Sequence, residues 1–403
     1  MKNYFNSVCY LIFTICVVLS QGAYADSDFE AWKKSFAQEA LKAGISQSVL
    51  DRTLPKMHLQ ERVIHLDTRK PEFLPNFYDY IRSRLTDTKI ETGQKMLQKY
   101  PTWLNRIEKQ YGVPKEYLVA IWGMETNYGS YMGRVNMLDS LSSLAYHPRR
   151  RKFFTAELIA HLKTIQEESS IAPKIGSWDG GFGHFQFMPT TFRAYAVDGD
   201  GNGRRDIVNN MPDAFASAAN YLSKLGWHTY EPWGREVVLT THPDWDQIHR
   251  DDKKTVAAWI AVGFKPKHLP VFPESEHTIV AELHMPMGFS GPMFLTYPNY
   301  RIIRRWNKLE VYGLAVGLLA DALVARSPYP TPPEGFKPFR TKSIICLQEL
   351  LAQQGYLSAK PDGLVGPKTR QAIRSFQREN RQLQDGYPNI ELLKQTGCLE
   401  DEE

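Results

Sequence analysis

A single acid sits where a proton donor would be useful. Glu125 lies in G-V-P-K-E-Y-L-V-A-I-W-G-M-E-T-N-Y-G, residues 112–129. Pro114 suits a first helical turn and Gly129 suits a stop, so the spacing predicts a helix between them. On that helix Leu118, Ile121, Trp122 and Glu125 fall on one stripe. An ionisable group on an apolar face, at the negative end of a helix, should have its anion disfavoured and its pKa raised. A carboxylic acid still protonated near neutral pH can protonate a leaving group. The alternative is a helix-end glutamate whose carboxylate pairs with a nearby arginine.

Two further segments carry side chains of use. G-S-W-D-G-G-F-G-H-F-Q-F-M-P-T-T-F, residues 176–192, is dense in glycine, which lets backbone turn sharply or approach a ligand. Gln186, set between Phe185 and Phe187, could offer its amide to an acetamido or hydroxyl group, or could satisfy its own turn. D-G-D-G-N-G-R-R-D, residues 198–206, places oxygen side chains at Asp198, Asp200 and Asn202 and a glycine at Gly203, matching the start of a calcium loop. The twelfth position is Asn209 instead of a bidentate Glu, which leaves Asp213 as the candidate last ligand. A solvated Asp/Asn/Gly turn is the other reading.

These groups need a scaffold. The 403 residues, 42% hydrophobic and 23% charged, suffice for two or three domains of ordinary globular composition. Helices are expected over 101–128, 151–168 (Phe153, Phe154, Leu158 and Leu162 at helical spacing), Asp213 to Leu225, 250–262 and 308–325. Weak strand character falls on 277–284 and 300–306. Residues 26–100 read as short helical pieces. Ser327 to Gly335 is a proline-rich connector. Residues 341–399 form a compact block of short helices, and the acidic end 400–403 is expected to fray.

At the other end, Lys2, the apolar run Val8 to Leu19 and Ala23-Tyr24-Ala25 read as a signal peptide cleaved after Ala25. The expected location is the periplasm. Cys9 and Cys16 leave with that segment, and neither sits in a lipoprotein pattern. Cys346 and Cys398 remain, either bridged or as two thiols. No later segment reads as a membrane span.

Removing Lys2 takes the net charge from +5 to +4, and residues 336–399 alone carry 10 basic against 5 acidic side chains. That modest excess suits an anionic polymer or an ordinary surface, and no nucleic-acid module accompanies it. The 11 His include no H-E-x-x-H, and no G-x-S-x-G occurs, which argues against a zinc or serine hydrolase.

Taken in order, G-M-E-T-N-Y-G, G-S-x-x-G-x-x-G-x-x-Q-F-M-P and the acidic loop resemble the lytic murein transglycosylase B family, from about residue 28 to 325. R-R-W-N-K-L-E-V-Y-G-L-A-V-G-L-L-A-D, residues 304–321, resembles a further family stretch, with Trp306 replacing the usual tyrosine and Leu309 the usual serine. Residues 341–399 resemble a peptidoglycan-binding module through L-Q-x-L-L-x-x-x-G-Y-L and D-G-L-V-G-P-K-T-R-Q-A-I-R-S-F-Q.

The resemblance implies a mainly α, lysozyme-like catalytic domain over 26–326 with an EF-hand-like loop and a deep groove, a linker over 327–340 and a three-helix module over 341–399. It places the catalytic acid on Glu125 and sugar-cleft residues on Tyr80, Ser177, Gln186, Asn307 and Tyr312. It places a calcium loop on Asp198, Asp200, Asn202, the Arg204 carbonyl and Asp213, with one residue inserted before the helix. The implied reaction cuts the glycan of peptidoglycan between N-acetylmuramic acid and N-acetylglucosamine, forming 1,6-anhydro ends. No cofactor is needed for the chemistry, and calcium is a structural candidate. The rivals are a hydrolytic muramidase and a non-catalytic wall-binding protein. The expected partners are glycan strands, with no nucleic acid, no membrane span and a monomeric state. Asp179, in the glycine-rich loop, is an acid that could complicate a scheme with one carboxylate.

Overall fold

The computed structural model describes residues 27–68, 76–240, 248, 252–334, 336 and 338–399. The expected signal segment and the acidic end lie outside the described residues. The chain divides into two compact units, one from Met1–Arg69 and Gly129–Ala218, the other from Lys70–Tyr128 and Ala219–Glu403. Elements are numbered along the whole chain.

The first unit is helical. It contains α1 (27–42), α2 (Gln47–Thr53), α3 (Glu61–Thr68), α8 (Met137–Tyr146), α9 (Arg151–Glu167), α10 (Pro189–Tyr195) and residues 211–218 of α11 (Met211–Lys224). Two short strands, β1 (Val135–Asn136) and β2 (Ile175–Gly176), pair antiparallel. Helix α9 is the hub, packed by α8, α10 and α2. Phe154, Leu158 and Leu162 are fully buried on it, but Phe153 is 48% exposed. Adjacent helical residues point about 100° apart, so only one of Phe153 and Phe154 can face the core. The Arg150 guanidinium lies over both rings instead.

The second unit is built on a helix apolar all round. In α7 (Lys115–Thr126) every residue from Tyr117 to Met124 is buried, as such a helix must be. Around it pack α5 (Asp87–Lys99), α6 (Pro101–Tyr111) and α14 (Glu310–Leu323), and α14 also meets α4 (Phe77–Arg84). Beside these lies a five-stranded antiparallel sheet of order β4-β6-β7-β3-β5. Its strands are β3 (Gly234–Leu239), β4 (Lys253–Thr255), β5 (Phe264–Pro266), β6 (Val280–His284) and β7 (Met293–Thr296), and Trp259, Leu283, Leu295 and Tyr297 fill its core.

Here the structure departs from the sequence reading. The helix expected at 250–262 reduces to α12 (Val256–Ala261), because Lys253–Thr255 joins the sheet and Thr255 caps the helix by accepting from Ala258 N–H. The strand expected at 300–306 is helix α13 (Pro298–Ile303), opened by Pro298 at its first position. Only β6 lies where a strand was expected.

The C-terminal block consists of α15 (Thr341–Gln353), α16 (Pro367–Glu379) and α17 (Ile390–Gln395) around Leu347, Leu351, Ile373, Phe376 and Leu393. Its Asp-Gly turn is fixed by one buried side chain. Gln348 Oε1 accepts from Asp362 and Gly363 N–H, while Nε2 donates to Asp362, Leu364 and Thr369 oxygens. Cys346 and Cys398, 52 residues apart, form a disulfide. Closing a loop of that length stabilises the fold by about 4 kcal/mol through the unfolded state.

Candidate active site

Glu125 occupies the last turn of α7, whose ends differ from the sequence expectation. Pro114 is the N-cap, in extended backbone, and the helix begins at Lys115. It ends at Thr126 with Asn127 as C-cap in left-handed backbone, ahead of Gly129. Tyr128 also has positive φ, 60°, which is uncommon for a bulky residue and costs on the order of 1–3 kcal/mol. Its contacts offset that cost. The Tyr128 hydroxyl donates to Lys89 O at 2.9 Å, and its ring meets Trp122 edge-on at 5.6 Å. Gly123 makes room, since a Cβ there would lie 2.7 Å from the tyrosine ring. Lys89 Nζ donates to Gly123 O at 3.0 Å, capping a carbonyl near the helix end. Burial holds the Lys89 ammonium below its usual pKa.

The Glu125 carboxylate is half-buried. Tyr312, 3% exposed on the first turn of α14, donates its hydroxyl to Glu125 Oε1 at 2.5 Å. Burial, and then the charge of Glu125, push the Tyr312 pKa far up, so its proton stays on the phenol. Tyr80 on α4 is also buried and raised, mainly by desolvation; the Arg84 guanidinium over its ring opposes the shift and the Glu125 charge adds to it. Helices α4, α7 and α14 thus bring Tyr80, Glu125 and Tyr312 together. A neutral phenol donating to a carboxylate favours the anion.

The start of α14 is itself anchored. Glu310 Oε1 meets His284 Nδ1 at 2.6 Å, and the Tyr300 hydroxyl donates to Glu310 O at 3.0 Å. Asn307 is exposed just before this helix and accepts from Leu309 N–H at 3.0 Å. Leu309 is the N-cap and offers no side-chain acceptor. A serine there could cap the helix, an interaction worth about 1 kcal/mol. Trp306 rests edge-on against Tyr221 at 5.1 Å.

The other expected site residues belong to the first unit. Ser177 Oγ lies 2.6 Å from Asp179 Oδ1 and 2.9 Å from Gly181 O. Gln186 has φ of 50°, and its Nε2 donates to Gly183 O at 3.0 Å and Met132 O at 3.3 Å. Both acceptors are backbone carbonyls, Gly183 inside the glycine-rich loop and Met132 outside it.

In the acidic loop of this unit, Asp198, Asp200 and Asp213 bring carboxylate oxygens within 4.8 Å of one another. Backbone N–H groups of Gly201, Asn202 and Gly203 point at Asp198 and help hold its pKa below the usual range. Asp213 is 0% exposed and accepts from Gly199 N–H at 2.7 Å and Asp206 N–H at 2.8 Å. Burial raises its pKa, and the charges of Asp200 and Asp198 add to the rise. Three converging carboxylates, one fully buried, with Asn202 and the Arg204 carbonyl in the same loop, form an oxygen donor set that fits a hard cation such as calcium.

Sequence reasoning missed Lys89, Tyr128, His284 and Glu310. Tyr128 stood inside the quoted Glu125 motif, whereas no local pattern marks the other three.

Comparison with known proteins agrees with this geometry. The transglycosylase SLT domain family matches residues 28–321, and a peptidoglycan binding domain family matches residues 340–395. Membrane-bound lytic murein transglycosylase B of Escherichia coli K12 is 30% identical over 298 residues, covering 72% of this chain and 79% of that protein. The structure resembles SltB3 of Pseudomonas aeruginosa, solved with NAG-anhNAM-pentapeptide, with a TM-score of 0.83 and 38% identity over 92% of this chain and 99% of that one. It also resembles the E. coli lytic transglycosylase Slt35 solved with calcium, with a TM-score of 0.62 and 28% identity over 73% of this chain and 93% of that one. The family match over residues 28–321, the match over 340–395 and the 30% identity to the E. coli enzyme place this chain in the lytic murein transglycosylase B family, with a peptidoglycan-binding domain appended.

Proposed function

We propose that Glu125 performs the cleavage of the β-1,4 bond between N-acetylmuramic acid and N-acetylglucosamine in peptidoglycan. Protonated Glu125 gives its proton to the glycosidic oxygen as the bond from the muramic anomeric carbon to that oxygen breaks. The substrate's acetamido group stabilises the positive anomeric carbon. The Glu125 carboxylate then takes the proton of the muramic 6-hydroxyl, whose oxygen closes onto that carbon. The products are a 1,6-anhydromuramic end and a free N-acetylglucosamine 4-hydroxyl, with no water consumed. One carboxylate serves twice, where ordinary glycosidases use a pair.

Tyr312 orients the carboxylate and favours the anion that forms in the first step, and Tyr80 lines the same place. Asn307, Ser177 and Gln186 are assigned to the sugar cleft. Asp198, Asp200, Asn202, the Arg204 carbonyl and Asp213 are assigned to calcium, which neutralises the loop's charge when bound and takes no part in bond cleavage. The relative solved with calcium supports that assignment. Among the described residues no helix is long and apolar enough to cross a membrane. The mature chain acts in the periplasm as a monomer, after cleavage following Ala25. Its catalytic domain spans 26–326, its linker 327–340 and its wall-binding module 341–399.

The observation that carries this reading is the 2.5 Å contact of Tyr312 with half-buried Glu125. Turbidity clearance of purified cell walls tests it. The native chain clears them and Glu125→Gln does not; equal clearance by the variant removes Glu125 from the reaction.

A further inference from the structure

Lys89 stands where its charge is opposed from several sides. It belongs to the first turn of α5, whose N-cap Thr86 accepts from Lys89 N–H at 3.2 Å. The positive end of that helix disfavours a cation. Burial, and then the Arg84 guanidinium, act in the same direction. What favours the ammonium is another helix. Lys89 Nζ donates at 3.0 Å to Gly123 O, in the last turn of α7, and the same carbonyl accepts from Asn127 N–H at 3.2 Å. The ammonium therefore lies at the negative end of α7. Glu125 belongs to that same turn.

The contact is held from both sides. The Tyr128 hydroxyl donates to Lys89 O at 2.9 Å, so α5 and the end of α7 exchange two hydrogen bonds through one residue. The Tyr128 ring passes between two glycines to reach it. A Cβ at Gly123 would meet the ring, and a Cβ at Gly93, one turn further along α5, would collide with its hydroxyl and with Leu323.

Other groups surround this end of α7. Helix α4 brings Tyr80 and the exposed Arg84, whose guanidinium lies over the Tyr80 ring. Helix α14 brings Tyr312 and, in the same first turn, Glu310, which is engaged by His284. Helix α6 brings buried Leu104 and Ile107, and its Glu108 pairs with Lys115 at the opposite end of α7. Lys89 differs from Arg84 in being hydrogen-bonded to the helix that carries the acid. After Glu125 gives its proton, its anion must last until it recovers another. The negative end of α7 works against that anion, and a positive charge on a last-turn carbonyl offsets it.

We propose that Lys89 is a positioning residue for the reaction: bound to Gly123 O, its ammonium offsets the negative end of α7 and favours the Glu125 anion left by proton donation. The proposal rests on the reading that Glu125 is the acid.

The test is carbon-13 NMR of the full mature chain labelled at its glutamate carboxyl carbons, with Glu125→Gln identifying the Glu125 signal. Lys89→Met keeps most of the stem and removes the charge. It should move the Glu125 titration upward by about half a pH unit or more, and the alkaline limb of the pH–rate profile should follow. Lys89→Arg keeps a cation and should leave both close to native. Thermal unfolding checks that each variant is folded. A lysine that only packs α5 on α7 would lower the melting temperature and leave the titration in place. A native Glu125 titration in Lys89→Met, or an equal shift in Lys89→Arg, overturns the proposal. A second measurement covers a Lys89→Met chain that does not fold. Coupling between two sites is reciprocal, so the Lys89 ammonium, labelled at Cε, should lose its proton at lower pH in Glu125→Gln than in the native chain. An unchanged Lys89 titration overturns the proposal. Neither titration depends on cleavage, so a failure of the cleavage reading appears in the wall-clearance assay and a failure of this proposal appears in the spectra.

Discussion

Glu125 and Asp213 are both carboxylates withdrawn from solvent, yet their neighbours prepare them for opposite work. Asp213 is wholly enclosed, crowded by two further carboxylates and fixed by two backbone N–H groups. Like-charge repulsion in such a cluster would be relieved by a bound cation. Glu125 is only half-buried, and it accepts a hydrogen bond from the Tyr312 phenol, with the Tyr80 phenol close enough to feel its charge. Burial alone does not assign a role to an acid; the charge and mobility of the donors around it do.

The comparison is broken most directly by exchanging each carboxylate for its amide. Glu125→Gln should lower wall cleavage about 10³-fold or more, the scale of a lost general acid, while the melting temperature changes little. Asp213→Asn should do the reverse. In the native chain, calcium at a hundredfold excess over its dissociation constant should add about 2.7 kcal/mol of stability, read as a rise in melting temperature reversed by chelator. The variant should lose that rise and keep most of its turnover number. A native melting temperature indifferent to calcium and chelator would remove the cation from the account.

Tyr312→Phe sharpens the Glu125 side. A hydrogen bond to a charged group contributes about 1.5–3 kcal/mol, so the turnover number should fall roughly tenfold or more. The sign of the pH effect follows from the donor. Loss of the phenol disfavours the glutamate anion, the protonated acid survives to higher pH, and the alkaline limb of the pH–rate profile moves upward. A limb that stays in place would show that the tyrosine does not act on the proton.

The smallest effect belongs to His284→Gln. Weakening the contact with Glu310 at the start of α14 should cost about 1 kcal/mol. It should lower the turnover number several-fold with little change in KM, because the Tyr312 hydroxyl is displaced only slightly.

What the sequence made legible followed from local rules. Glu125, Leu118, Ile121 and Trp122 shared a stripe because α7 is one uninterrupted helix, and the Asp198 loop announced itself through fixed spacing. The same locality explains the errors. Helical spacing over 151–168 did not decide between the neighbours Phe153 and Phe154, of which only Phe154 is buried. Strands β4 and β5 have three residues each and β7 is buried at all four, too short or too uniform for an alternating pattern. Residues 300–306 resembled a strand because Ile302 and Ile303 favour one, and Pro298 decided otherwise. Lys89 and His284 were invisible for a different reason. They act across 34 and 26 residues of sequence respectively, and no spacing encodes such contacts.

The central claim is that one glutamate both gives and recovers a proton, so that the sugar closes on itself. Mass spectrometry of the muropeptides released from purified peptidoglycan by the native chain reads this outcome directly. The account predicts fragments ending in 1,6-anhydromuramic acid, lighter by one water than hydrolytic products. Fragments carrying only reducing ends would contradict it.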